Sequence, residues 1–328
     1  MATETYFAIG GKWRSFHTGL EVSGGTPPPS GTYPRFGINS YQASTTTAHD
    51  PAGETPAEQQ ARLLRDYGTM TDTKVFYTSG TGLTLPATYQ TTRGEGLSTS
   101  PVCTVCFVWT RGQLAAGAYD SQIRGYVDSI PTGRTVRLTW NEIDNAISAG
   151  ADWTAYRADM DHLYDLVTAS APASGGTCEV WECWMQYSLT PASGPKFSTT
   201  WTTPAKRHGI VWDLYWNRAN TDKSGQTAIA NILTAMSQLG MTRWSIGETG
   251  DRRPGTANSD EIDDSTRAAN MRVRMQALVD AVPAPEGVVW FDNLGTTGDH
   301  RILQPDLGND DLTKAMLKSF IDAGRAAH

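Results

Sequence analysis

The sequence lacks any long apolar run. No stretch approaches the roughly 18 consecutive apolar residues that a membrane-spanning helix needs, and residues 1–18 contain no apolar core of the kind found in secretion signals. We therefore expect no membrane insertion, no signal peptide and synthesis in a reducing cytoplasm.

Positive charge is also scarce. The chain has 27 lysines and arginines against 34 aspartates and glutamates, which gives a formal net charge of −7. Binding a phosphate backbone requires a basic face. The charge balance therefore argues against a nucleic-acid partner.

Cysteine is sparse and comes in two close pairs, Cys103/Cys106 and Cys178/Cys183. Both pairs lie in runs rich in β-branched and aromatic residues, which favour strands. Residues three or five apart on a strand point to opposite faces, so one zinc ion cannot bind both members of a pair. We expect buried free thiols, no metal and no other cofactor.

Several well-known catalytic motifs are missing. The sequence has no HExxH, no phosphate-binding loop and no EF-hand spacing, and Ser79 lacks the glycine two residues earlier that a nucleophile elbow requires. These absences argue against a zinc protease, a nucleotide-binding enzyme and an α/β-hydrolase.

What the sequence does contain is a regular alternation of short apolar runs and amphipathic segments. Eight such units in about 290 residues predict an α/β protein with parallel strands, a (β/α)₈ TIM barrel. A doubly wound sheet is the alternative, but residues 37–41 do not form the glycine-rich loop expected after its first strand. The predicted strands are 35–41, 73–79, 102–110, 135–142, 178–187, 208–216, 242–248 and 287–293, and the predicted helices are 56–67, 115–129, 154–169, 225–239, 263–281 and 310–326.

Two connections contain no convincing long helix. Residues 80–100 follow the second predicted strand and residues 189–207 follow the fifth. Long loops where barrel strands end are often functional.

The N-terminal segment stands apart from the alternation. Residues 1–22 predict a short β-hairpin appendage around Gly10–Gly11, and residues 23–34 form a linker rich in glycine, proline and serine. The barrel is then expected to occupy residues 35–328.

Glutamates end two of the predicted strands, Glu142 the fourth and Glu248 the seventh. Active sites of barrel enzymes lie where the strands end. Hydrolysis of a glycosidic bond needs one protonated carboxyl and one ionised carboxylate, and a separation of about 5–5.5 Å allows the second to attack directly, with retention of configuration. The two glutamates therefore favour a retaining glycoside hydrolase.

This arrangement resembles clan A of the retaining (β/α)₈ glycoside hydrolases, in architecture over residues 35–328 and in a few motif residues. The resemblance implies that Glu142 is the acid/base, Glu248 the nucleophile and Asn141 a partner of the sugar 2-hydroxyl. It further implies that Tyr215 lies beside the nucleophile and that Trp290 forms the aromatic floor of the sugar site.

The sequence departs from the pattern of that clan at two places. Ile143 follows Glu142 where the clan commonly has proline, and Tyr77 stands near the end of the second strand where an arginine is often found. Arg111, after the third strand, is a candidate substitute for that arginine.

Tryptophan is abundant, with 11 residues. Indole rings stack on the apolar faces of sugars, although one side of each barrel strand faces the helices, where tryptophan is core. The remaining substrate-binding candidates are Trp109, Trp140, Trp216, Asn39, Asp213 and Asp292; each of the two aspartates could instead belong to a structural ion pair.

Other functions stay open at this point. The hairpin, linker and missing signal also resemble bacteriophage minor tail proteins with glycosidase-like domains, which implies a virion-associated protein that contacts other tail proteins and host cell-envelope glycans. On that interpretation the barrel could bind glycans without cleaving them. A third interpretation, a small-metabolite enzyme, would place a phosphate site near Arg252 and Arg253.

Overall fold

The computed structural model confirms the predicted (β/α)₈ barrel. The residues described are 6–9, 12–15, 33–39, 56–77, 81–89, 100–148, 150, 152–170, 172–191, 196–216, 224–251, 263–292, 294–295, 298–299 and 310–328.

Eight parallel strands form the barrel, in the spatial order β3-β10-β9-β8-β7-β6-β5-β4. The seam between β3 and β4 is bridged just before β4, where the Phe36 N–H donates to Thr71 Oγ1 at 2.9 Å and the Thr71 N–H donates to the Phe36 carbonyl at 3.1 Å. The barrel strands are β3 (Arg35–Asn39), β4 (Lys74–Tyr77), β5 (Val102–Phe107), β6 (Thr135–Trp140), β7 (Thr177–Met185), β8 (Gly209–Trp216), β9 (Trp244–Asp251) and β10 (Gly287–Phe291).

Helices lie between most of the strands. All six predicted helices are present within a few residues of their expected bounds, and one short helix, α3, was not predicted. The helices are α1 (Pro56–Tyr67), α2 (Asp120–Asp128), α3 (Ile143–Ser148), α4 (Trp153–Ala169), α5 (Gln226–Leu239), α6 (Asp264–Val279) and α7 (Asp311–Ala327). As expected, the described residues between β7 and β8 contain only single-turn 3₁₀ helices, at Gln186–Leu189, Thr199–Trp201 and Pro204–Lys206.

Two small antiparallel hairpins complete the described elements. β1 (Tyr6–Ile9) pairs with β2 (Lys12–Ser15), and β11 (Leu294–Gly295) pairs with β12 (Gly298–Asp299). The predicted linker lies outside the described residues except for Tyr33 and Pro34, and the division of the chain at residues 22 and 34 stays a prediction. No helix in the described part of the chain is long and apolar enough to cross a membrane.

The main hydrophobic core lies between the barrel and its helices. Alternate residues of each strand point outward into this layer and the others point into the barrel. On β8, Trp212, Leu214 and Trp216 belong to the outer core, whereas Val211 lies inside with Cys183 and Trp181 of β7. All four cysteines are free thiols, as expected; Cys103, Cys106 and Cys183 are buried, whereas Cys178 is only partly buried.

Candidate active site

Two of the predicted catalytic residues meet at the end of the barrel where the strands finish. Glu142 is the second residue after β6, and Glu248 lies in β9. Asp213 of β8 lies beside them. One carboxylate oxygen from each of the three lies within 4.8 Å of the other two. The structure thus brings together three carboxyl groups at the position where barrel enzymes carry out their chemistry.

A β-bulge aims Glu248 into the barrel. Trp212 pairs with Ile246 and Asp213 pairs with Glu248, so β9 has one extra residue, Gly247, at this point. Gly247 also faces the interior, because a Cβ there would lie 2.3 Å from Val211 and 2.9 Å from Asp213 Oδ1. Two successive residues therefore face inward, which regular alternation does not permit.

Lys74 lies beneath these carboxylates and binds two of them. Its Nζ donates to both Asp213 oxygens at 2.9 and 2.8 Å and to Glu248 Oε1 at 2.7 Å. The Lys74 side chain is fully buried. Lys74 is the first residue of β4, the second strand of the barrel, on which the resemblance to clan A led us to expect an arginine.

Arg111 does not take that place. It is exposed, and its guanidinium lies 5.9 Å from the ring of Trp140. Among the described residues it is Lys74, and not Arg111, that pairs with Glu248.

Glu248 has a second partner, Tyr215, whose hydroxyl donates to Glu248 Oε2. The ring of Phe291, at the end of β10, lies edge-on to Tyr215 with centroids 5.8 Å apart. Glu248 is therefore held through one oxygen by an ammonium group and through the other by a phenol. Such a carboxylate is fixed in direction, as a nucleophile must be.

Glu142 lies in a different environment. Its backbone has φ +47°, the left-handed region that few residues other than glycine adopt. The adjoining turn is fixed because the Asp144 carboxylate accepts from the Met185 N–H at 3.3 and 3.2 Å. The Asn145 amide donates to Glu142 Oε2, and the Tyr187 hydroxyl donates to Asn145 Oδ1 at 2.6 Å.

The electrostatics distinguish the carboxyl groups. Burial, followed by the charges of Glu248 and Asp213, raises the pKa of Glu142 to about 8. Burial and the charge of Glu248 raise the pKa of Asp213 to about 7, although Lys74 opposes this. The raised pKa of Glu142 favours its protonated form at neutral pH, the form that a general acid needs.

The three carboxylates could in principle ligate a cation. Lys74 already places its ammonium group between Asp213 and Glu248 at hydrogen-bond distance. Lys74 therefore already neutralises part of the negative charge that a metal ion would otherwise neutralise.

Asn141 and Asn39 lie at the barrel mouth. Asn141 immediately precedes Glu142, and its buried Oδ1 has no hydrogen-bond partner in the described part of the chain. Asn39 is buried at the end of β3, and its carbonyl accepts from the Asp292 N–H at 2.6 Å.

Asp292 is a member of a buried ion pair. Its carboxylate lies 3.5 Å from the guanidinium of Arg62 on α1, and both side chains are at most 5% exposed. Of the two roles that the sequence left open for Asp292, substrate binding or a structural ion pair, the structure shows the ion pair.

The four tryptophans expected to bind sugar are in the core instead. The guanidinium of Arg274 lies over the ring of Trp216 and that of Arg267 over Trp290, at 5.3 and 5.5 Å, and both arginines belong to α6. These two tryptophans are at most 1% exposed. The expectation of an aromatic floor at Trp290 was wrong, because its strand position points toward the helices.

Trp109 and Trp140 pack edge-to-face on each other, with centroids 4.5 Å apart. Trp109 donates from Nε1 to Asp159 of α4, and the ring of Tyr156, also on α4, lies 6.2 Å from Trp140. Both tryptophans thus belong to the layer between barrel and helices, and the expectation that they stack on sugar was wrong as well.

Three residues at the site were missed from the sequence, namely Lys74, Asn145 and Tyr187. A lysine inside a predicted buried strand was a usable signal for Lys74, since lysine is almost never fully buried without a partner. Asn145 and Tyr187 gave no signal, because one lies in the unpredicted helix α3 and the other in a 3₁₀ turn.

The sequence matches no protein-family model and no curated protein. Its fold, in contrast, is similar to solved structures. A glucosidase from Croceicoccus marinus superposes with a TM-score of 0.59 and 11% identity, over 92% of this chain and 69% of that one. The solved structures described here are of enzymes that act on glycosides.

Two further structures extend the similarity. A β-glucuronidase from Bacteroides uniformis gives a TM-score of 0.56 at 11% identity, over 93% of this chain and 39% of that one. A β-1,3-glucanosyltransferase from Rhizomucor miehei, solved with laminaritriose, gives 0.51 at 10% identity, over 85% and 96%. The chain spans half or less of the β-glucuronidases from an uncultured Clostridium and from Bacteroides uniformis. At such low identity the likeness establishes the shared barrel fold.

Proposed function

We propose that this protein is a retaining O-glycoside hydrolase that cleaves a polysaccharide, with Glu142 as acid/base and Glu248 as nucleophile. One observation carries the proposal: a glutamate with a pKa of about 8 faces a glutamate held by Lys74 and Tyr215, with carboxylate oxygens within 4.8 Å. Nearest oxygens this close suit retaining enzymes, whose two carboxyl groups lie about 5–5.5 Å apart, better than inverting enzymes, in which about 6.5–9.5 Å leaves room for the attacking water molecule. The glycosidase-like neighbours support the proposal at the level of fold.

In the first step, the protonated Glu142 donates its proton to the glycosidic oxygen as the C–O bond to the leaving sugar breaks. A Glu248 oxygen attacks the anomeric carbon and forms a covalent glycosyl ester. Lys74 and Tyr215 bind the two oxygens of Glu248 beforehand, so little reorganisation is needed at the moment of attack.

In the second step, Glu142 is a carboxylate and takes a proton from an incoming water molecule. The resulting hydroxide oxygen bonds to the anomeric carbon and the ester bond to Glu248 breaks. Because Glu142 gave its proton to the leaving sugar in the first step, it acts as a base in the second step. The proton returns to Glu142 and the cycle closes.

The proposed substrate site keeps fewer groups than the sequence suggested. Asn141 is proposed to bind a sugar hydroxyl, and the support for this is that its buried Oδ1 has no partner within the described residues. The resemblance to phage tail proteins adds a narrower proposal, that the glycan belongs to a bacterial cell envelope and that the protein is carried on a virion.

The test is release of reducing sugar from cellulose, laminarin, galactan and bacterial cell-wall glycan. We expect wild type to cleave at least one of these, and Glu142→Gln and Glu248→Gln each to abolish cleavage while still binding the glycan. The matched control is Glu58→Gln, which changes an exposed glutamate on α1. If wild type binds a glycan but releases no sugar, the barrel is a binding module and the hydrolase proposal is overturned.

A further inference from the structure

Tyr187 stands out among the aromatic side chains that the structure describes because it is exposed. The residue is 43% exposed and lies in the 3₁₀ turn that follows β7, at the end of the barrel that carries the carboxylates. The tryptophans of the barrel strands are all buried. Tyr77 and Tyr215, near the ends of β4 and β8, are half-buried, so Tyr187 is the most exposed of the described aromatic side chains at the barrel mouth.

The ring is also tied to Glu142. The Tyr187 hydroxyl donates to Asn145 Oδ1 at 2.6 Å, and the Asn145 amide donates to Glu142 Oε2. Partial burial and the charges of Asp144 and Glu142 raise the pKa of the Tyr187 hydroxyl, so it remains a neutral donor. An exposed ring with a fixed hydroxyl has lost much of its freedom before any ligand arrives, which lowers the entropic cost of binding.

We propose that Tyr187 and Asn145 form the subsite for the leaving-group sugar. This rests on the proposed function. The acid donates its proton to the oxygen of the leaving sugar, so that sugar must lie on the side of Glu142 rather than on the side of Glu248. The Tyr187 ring supplies a flat apolar surface for the C–H face of the sugar, and the exposed edge of Asn145 supplies amide groups for its hydroxyls.

The other exposed apolar side chains have no such setting. Leu64, Val273 and Leu312 lie singly on α1, α6 and α7, and Val282 lies in the connection between α6 and β10. Isolated apolar residues on helix surfaces are common and need no functional explanation. Val273 therefore serves as a matched control, because Val273→Ala also removes an exposed apolar group.

The experiment compares two substrates that carry the same sugar at the cleaved bond. One is an oligosaccharide of the glycan that wild type cleaves, and the other is the fluoride of that sugar. Fluoride leaves without a sugar in the leaving-group subsite. We expect Tyr187→Ala to lower the ratio of kcat/KM for oligosaccharide to that for fluoride by about tenfold. Tyr187→Phe keeps the ring and is expected to keep most of this ratio, and Val273→Ala is expected to leave it unchanged.

The outcomes are distinguishable. If wild type cleaves neither substrate, the hydrolase proposal fails and the subsite with it. If wild type cleaves both and Tyr187→Ala leaves the ratio at the wild-type value, the subsite is overturned and the hydrolase stands. A thermal unfolding curve for each variant shows whether it is folded. An equal fall for both substrates would mean that Tyr187 supports the site as a whole, and a ratio that falls as far in Tyr187→Phe as in Tyr187→Ala would mean that Tyr187 acts through Asn145 and Glu142; either result overturns the subsite.

Discussion

Lys74 Nζ lies 2.7 Å from Glu248 Oε1 inside the barrel, with the lysine side chain fully buried and the glutamate side chain 6% exposed. The same ammonium group binds Asp213 at 2.8 Å. Its neighbours hold the pKa of Lys74 well above its usual value despite the opposing effect of burial. One positive charge thus neutralises part of the charge of two close carboxylates.

Replacing Lys74 by methionine is expected to destabilise the fold, because two buried carboxylates would lose their counter-charge. Breaking a buried ion pair in this way costs about 3–5 kcal/mol. The loss should be larger at pH 8 than at pH 5, since protonation of a carboxyl at low pH removes part of the repulsion. Urea unfolding at the two pH values measures this. Equal losses at both would show that the charge of Lys74 is not what matters.

Glu142→Gln is expected to stabilise the protein at alkaline pH. The pKa of Glu142 is raised from 4.5 to about 8, so between these values the folded state holds a proton that the unfolded chain has lost. The stability of wild type therefore falls as the pH rises through this window, and glutamine removes the effect. We expect the variant to unfold at higher urea than wild type at pH 9 and at similar urea near pH 4. A variant less stable than wild type at pH 9 would contradict the raised pKa.

The same pKa predicts the pH dependence of activity. An acid must be protonated in the free enzyme, so kcat/KM should fall as the pH rises above about 8. A profile that stays flat from pH 6 to pH 10 would show that Glu142 is not the proton donor.

Gly247 is expected to tolerate no side chain. A Cβ at this position would lie 2.9 Å from Asp213 Oδ1 and 3.3 Å from Lys74 Cδ. Gly247→Ala should cost about 1–3 kcal/mol, as overpacking does, and should lower kcat by displacing this pair. Gly125→Ala on α2 is the control, because the nearest atom to its Cβ would be 3.9 Å away, and alanine in a helix should add up to about 1 kcal/mol. If the two variants behave alike, the bulge has no special role.

Trp290 is expected to matter for stability and not for substrate binding. Its ring is fully buried beside Arg267. Trp290→Phe should cost about 1–3 kcal/mol through lost packing and leave KM close to the wild-type value. A large rise in KM with unchanged stability would restore the sugar-stacking role that the structure argues against.

The barrel was predictable because only a few folds are compatible with eight alternating strands and helices. In a barrel all strands end at the same face, so Glu142 and Glu248 could be expected to lie together there. The directions of the side chains were less accessible. Tyr215 and Trp216 are neighbours on one strand and cannot both face the interior, so at most one of these two expectations could hold. On β8, Asp213 and Tyr215 point into the barrel, and Trp216 therefore points outward toward the helices.

The bulge at Gly247 and the position of Lys74 could not be deduced in the same way. A bulge depends on the register between three strands, which local sequence does not specify. Lys74 reaches Glu248 across the barrel interior from a strand 174 residues away in the chain. Asn145 and Tyr187 are 42 residues apart and lie in the short helix α3 and in a 3₁₀ turn, whose formation depends on the surrounding fold.

The central claim is that Glu248 attacks the sugar while Asp213, close beside it, does not. An activated 2-deoxy-2-fluoro glycoside of the sugar that wild type cleaves slows release of the covalent intermediate, and peptide mass spectrometry then locates the bound sugar. We predict a single label on the peptide containing Glu248 and none in the Glu248→Gln variant. A label on Asp213, or turnover of the same sugar with inversion of the anomeric centre and no label, would contradict the account.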